Sequence, residues 1–185
     1  IPKPIIDEAG LWDERLSLHD DGEFMCRVLL ASKGNVFVEN TVVYYRLVAS
    51  SLSRQNQSYR AAKSALEVCE SYRKQVLFVK DSPRVRQALA YNYRRFMYEF
   101  HPKQKDLLQQ ARQSIQTLDV KNLPLIGGEN FKKLTKIVGF YNALSLRESF
   151  KKVMKFNEKI GLGRKSMNKE CRKEGNTTLL DSMAI

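Results

Sequence analysis

His19-Asp20-Asp21-Gly22-Glu23-Phe24-Met25-Cys26-Arg27-Val28-Leu29-Leu30 sets three carboxylates and an imidazole within five residues, directly ahead of an apolar helical pattern. Phe24, Val28 and Ala31 recur at i, i+4 and i+7, with Leu29 widening the stripe and Gly34 supplying a stop signal. A helix is therefore predicted from Asp20 or Asp21 to Lys33, with the acids at its N-terminus, where the macrodipole favours negative charge. A carboxylate held there in a fixed direction suits a general base. The plainer reading is a capping box, since Asp20 and Glu23 have the D-x-x-E spacing. That reading leaves Asp21 without a role, because a cap needs one acceptor and a second Asp adds only repulsion.

Working outward, residues 3–9 read as a short helix, with Pro4 in its first turn and Gly10 ending it. Leu11 to Leu18 reads as an irregular loop holding Trp12, the single tryptophan. Asn35 to Val38 alternates weakly as a strand, and Thr41 to Leu47 is β-branched and aromatic enough for a second. Ala49 to Gln57 is a polar loop. From Tyr59 onward the periodicity is helical: Ala62, Ala65, Leu66, Cys69 and Tyr72 mark one face of a helix reaching about Phe78. Asp81-Ser82-Pro83 signals a second start, and Val85, Leu89, Tyr93, Phe96 and Phe100 carry that helix to His101-Pro102. Further helices are predicted over Leu107–Leu118, Phe131–Leu144 and Leu146–Ile160, with a polar, lysine-rich tail after Gly161-Leu162-Gly163.

Composition bounds the class. A chain of 185 residues with 43% hydrophobic and 28% charged content has enough apolar surface for a packed core. Cys26, Cys69 and Cys171 are an odd number at wide spacing, which argues against a disulfide framework and fits a reducing compartment. No CxxC or Cys/His cluster points to structural zinc. No apolar run approaches a membrane span, and no signal peptide opens the chain. Charge is uneven: residues 1–60 hold 7 Lys/Arg and 8 Asp/Glu, and residues 61–185 hold 25 and 12, giving the net +12. A near-neutral part bearing the acids is joined to a strongly basic one.

Four pieces in order, Glu8-Ala9-Gly10-Leu11-Trp12-Asp13-Glu14-Arg15-Leu16-Ser17, His19 to Phe24 with Arg27, Val42-Val43-Tyr44-Tyr45-Arg46, and Ser51-Leu52-Ser53-Arg54, resemble the second half of family 2 glycosyltransferases. Those are inverting GT-A enzymes that use nucleotide-sugar donors. The resemblance covers residues 1 to about 56. It implies an α/β fold there, an incomplete GT-A-like segment, followed by a mostly α-helical extension over 57–160 and a flexible basic tail over 161–185. It also implies that the nucleotide-binding half and a D-x-D holding Mg or Mn precede Ile1, so that these residues alone are inactive.

By the same resemblance Asp21 is the catalytic base, ending the family's acidic pair, with Asp20 where a Glu is usual. Asp20 and Glu23 are expected to bind substrate, although an i, i+4 pair between Glu23 and Arg27 is the simpler role. Trp12 offers an aromatic platform for a sugar ring, or serves as an ordinary core residue. Arg46 and Arg54 would stabilise the charge gathering on the nucleoside diphosphate leaving group, or lie solvated in their loop. Val48 stands where the family often has a His. The expected partners are a nucleotide-sugar donor and a saccharide or lipid-linked acceptor.

The basic second half offers one more surface. Phe131-Lys132-Lys133-Leu134 through Phe150-Lys151-Lys152-Val153-Met154-Lys155-Phe156 suits a helix lying on an anionic membrane, and equally suits packing on a protein core. Nucleic-acid binding finds no recognition motif, despite a pI near 9.7. The location expected is cytoplasmic, peripheral on the cytoplasmic face of the membrane. The competing function is a non-catalytic basic helical module that binds a membrane, a nucleic acid or a protein, its acids serving only as a cap.

Overall fold

The computed structural model describes residues 1–44 and 58–157, and every regular element among them is a helix. In chain order these are α1 (Lys3–Ala9), α2 (Asp20–Ala31), α3 (Tyr59–Val79), α4 (Pro83–Phe100), α5 (Lys105–Thr117), α6 (Glu129–Val138) and α7 over residues 140–157. Two compact units divide the chain, Ile1–Lys133 and Leu134–Ile185.

The first unit is built around α3, α4 and α5. Small residues on each helix, Ala62, Ala90 and Ala111, have no exposed surface and allow close approach of the backbones. The larger side chains of Tyr93, Phe96, Met97, Phe100, Leu107 and Ile115 fill the space between them. Ser58 and Ser82 cap α3 and α4, their hydroxyls accepting from the N–H groups of Ala61 and Val85 at 3.1 and 3.3 Å. Ser114 of α5 donates to Glu70 of α3, and the buried Arg94 donates to the Pro124 carbonyl at 2.8 Å, fastening the segment after α5.

The α/β expectation for residues 1–56 is overturned: among the described residues there is no strand. Asn35–Val38, expected as one, is irregular, with Val36 and Phe37 88% and 85% exposed. Residues 41–44 of the expected Thr41–Leu47 strand are irregular too, and residues 45–47 lie outside the described ones. A strand is held by a ladder to a neighbour, and β-branched composition alone leaves its N–H and C=O groups to water. Here α2 finds its partner in a helix instead.

Several helix ends differ from expectation, and two have a clear local cause. α2 stops at Ala31, where the Ser32 hydroxyl donates to the Val28 carbonyl at 2.6 Å, and Leu29 points outward. The break predicted near Ser145 falls at Gly139, whose φ of 79° ends α6 and lets α7 run unbroken through Leu146.

What joins α1 and α2 to the core is polar. Glu23 is only 5% exposed, yet it ties three segments together. Arg27 donates to it from Nε at 3.1 Å and from Nη2 at 2.9 Å, Ser71 donates at 2.8 Å and Gln75 at 3.1 Å. The same guanidinium donates to the carbonyls of Ala9 and Leu11. Gly10 turns with φ 79° directly against it, and a Cβ there would lie 3.3 Å from Arg27 Nη1. A second fastening lies about two turns away along α3, where the buried Ser64 hydroxyl accepts from the N–H groups of Ser17 and Leu18 and donates to the Leu18 carbonyl.

Burial raises the Glu23 pKa, but the hydrogen bonds from Arg27 and Ser71, the Arg27 charge and the Gln75 amide outweigh it and leave it below the ordinary 4.5. The stability it contributes is complete above the unfolded value and is lost as pH falls through the lowered folded one. Glu23→Gln should therefore destabilise the first unit by about 3 kcal/mol near neutral pH, because Arg27 keeps its charge among carbonyls without its counter-ion. Urea unfolding checks this, and the gap between variant and parent should narrow below pH ~4 as the parent's carboxylate is protonated.

Candidate functional site

The acid cluster does not form the capping box. The residue before α2 is His19, held at φ 60° with no side-chain cap, so Asp20 is already the first helical residue. Each of the three carboxylates has a different fate. Asp20 accepts the Trp12 indole N–H at 3.0 Å, and the indole stacks on Phe24 with centroids 4.7 Å apart. Glu23 turns inward to α3. Asp21 is exposed and takes one hydrogen bond, from the Gly22 N–H at 2.7 Å. Among the described residues, no other side chain is hydrogen-bonded to Asp21.

Asp21 borders a cleft of about 190 Å³ between the start of α2 and the facing sides of α3 and α4. His19 and Gly22 share its rim, Val68, Cys69, Phe96 and Phe100 form an apolar floor, and Tyr72, Asn92, Arg95 and Glu99 supply polar groups. Burial pushes the Tyr72 phenol up to about 12, helped by Cys26, Cys69 and the carboxylates of Asp21 and Glu23, so it stays a neutral donor. Burial likewise pushes Cys69 up to about 12, which leaves it a thiol rather than a nucleophile. The cleft thus combines an exposed carboxylate, a phenolic hydroxyl, an amide and a guanidinium over an apolar base. Such a mixed lining can hold a small polar molecule, and an exposed carboxylate can accept a proton.

Of the expected substrate-binding residues, Trp12 and Asp20 stay near Asp21 and bind each other, with the indole 45% exposed. Glu23 is buried under Arg27, Ser71 and Gln75 and turns away from Asp21. Its i, i+4 pairing with Arg27 is present at 2.9 Å. Arg46 and Arg54 lie outside the described residues. The acids do not fit a divalent cation, since Asp20, Asp21 and Glu23 each turn to a different partner. Among the described residues no three His, Cys, Asp or Glu side chains gather as a metal-binding group.

Sequence reading missed Ser64, Ser71 and Gln75, which receive α2 and its preceding loop, and read Tyr72 only as part of an apolar face. A signal for them exists: Ser64, Ser71 and Gln75 interrupt the edge of an apolar face on α3 at spacings of seven and four. No helix among the described residues is long and apolar enough to cross a membrane. Comparison with family models, with curated proteins and with solved structures gives no match to this chain.

Gly22 records how closely the site is built. A Cβ there would lie 2.6 Å from the Tyr72 hydroxyl oxygen but 4.0 Å from the ring carbon bearing it. Gly22→Ala should destabilise by about 1–2 kcal/mol by pushing the ring aside. In a Tyr72→Phe background the same substitution should be neutral or stabilising, because only the helix preference for Ala over Gly remains. Thermal unfolding of the four proteins checks the sign change.

Proposed function

We propose that this chain carries the acceptor-activating part of an inverting glycosyltransferase that moves a sugar from a nucleotide-sugar to a hydroxyl of a saccharide or lipid-linked saccharide. Asp21 is the general base. The acceptor hydroxyl gives its proton to the Asp21 carboxylate as its oxygen forms the new bond to the anomeric carbon. The bond from that carbon to the nucleoside diphosphate breaks on the opposite face, and its electron pair leaves with the diphosphate. The configuration inverts once, and Asp21 later returns its proton to solvent.

One observation carries the assignment: of three neighbouring acids, two are engaged by protein side chains and Asp21 alone, among the described residues, faces open space beside a polar cleft. The Asp20 carboxylate holds Trp12 by its N–H, which leaves the exposed part of the indole for the C–H face of a sugar ring. Tyr72 and Asn92 offer the acceptor further hydrogen bonds from the cleft wall. The order of the sequence pieces that resemble family 2 glycosyltransferases supports the same reading, as does the place of Asp21 at a helix start. Arg46 and Arg54 would meet the leaving diphosphate.

The reading is tested by Asp21→Asn in the full-length protein, followed by release of nucleoside diphosphate from nucleotide-sugars in the presence of saccharide acceptors. The amide preserves shape and removes the base, so turnover should fall at least a hundredfold. The melting temperature should stay within a degree or so, since an exposed carboxylate with one backbone hydrogen bond contributes little to stability. Transfer at the parent rate would overturn the assignment.

A further inference from the structure

The last described helix carries a surface that sugar transfer does not use. In α7 the buried side chains are Phe140, Ala143 and Leu144, all in its first turns. Beyond them residues 149–157 are exposed throughout. Leu146, Phe150, Val153 and Met154 follow one another at i, i+4, i+7 and i+8, a single helical stripe, and are 49%, 66%, 55% and 47% exposed. A soluble surface scatters such residues singly, whereas here they are contiguous.

The charges around the stripe narrow the occupant. Lys151 and Lys152 fall roughly 120–140° to either side of its centre, at the angle where a lysine stem can run up from an apolar contact to a polar boundary. Lys155 lies opposite. Residues 129–157 hold seven Lys/Arg against two Asp/Glu. A second copy of this chain would bring the same positive field against itself. A nucleic acid would meet the lysines and leave Phe150 and Met154 in water. An anionic lipid surface satisfies both faces together.

We propose that α7 binds an anionic bilayer, lying in its plane with the Leu146–Phe150–Val153–Met154 stripe below the headgroups and Lys151 and Lys152 among them. The helix lies on the membrane and does not span it. This surface shares no residue with the Asp21 cleft and stands or falls without it.

Flotation of the protein with phosphatidylcholine vesicles, with and without phosphatidylserine, tests the proposal. Parent protein should float with the phosphatidylserine vesicles only, and less at high salt. Lys151→Gln/Lys152→Gln should lower partitioning about thirtyfold, each lysine near an anionic surface being worth ~1 kcal/mol. Phe150→Ser/Met154→Ser should also lose flotation, with helix content and melting temperature kept because both side chains are exposed. Equal recovery on neutral vesicles, recovery of the lysine variant at the parent level, or absence of the parent from both vesicle types would overturn it. So would a dimer in sedimentation that the Phe150→Ser/Met154→Ser variant dissolves.

Discussion

A single buried carboxylate organises the N-terminal part of this protein. Glu23 comes from one helix and meets Ser71 and Gln75 of another, and its partner Arg27 reaches back to the carbonyls of Ala9 and Leu11. The guanidinium fork makes this possible, because five donors in one plane can serve a carboxylate and two backbone carbonyls together. α1, the loop after it and α2 have few buried apolar side chains of their own; α1 has none, and in α2 only Val28 is a buried hydrophobe. Their place against α3 depends on the network, with Ser64 as a second pin. Such an arrangement is directional. Apolar burial would hold the segment equally well in several orientations, whereas the hydrogen bonds accept one.

That constraint divides the labour among three adjacent acids. Because Glu23 is turned inward, the first turn of α2 must present Asp20 and Asp21 on other sides. Asp20 meets the Trp12 indole, and Asp21 is left at the rim of the cleft against α3 and α4. Close approach of Gly22 to Tyr72 sets the depth of that cleft. The free carboxylate is thus a consequence of where its neighbours are committed, and its direction follows from bonds made two residues along the helix.

The helices were legible because their signals are local. Ser82-Pro83 starts α4, the apolar spacing from Val85 to Phe100 carries it, and the structure ends it at Phe100 as the His101-Pro102 pair predicts. The strands were misread because β-branched and aromatic residues at 35–38 and 41–44 describe what would fit a sheet and say nothing of whether a neighbouring strand exists to pair with. Glu23 was read in part: its i, i+4 pair with Arg27 is present, and the rest was not legible. Its D-x-x-E spacing is a local pattern, while its actual partners, Ser71 and Gln75, lie about fifty residues on, and a polar group buried by distant partners leaves no periodicity of its own. Asp21 stood out because the local pattern gave it nothing to do.

Hydrogen exchange in Arg27→Lys tests most directly whether this network holds the N-terminal segment to the core. Lysine keeps the charge but lacks the planar fork, so the bonds to Glu23, Ala9 and Leu11 cannot all survive. The amides of α1 and α2 should lose protection together, while those of α4 and α5 keep theirs. Protection of α1 and α2 unchanged from the parent, or lost equally across α4 and α5, would contradict it.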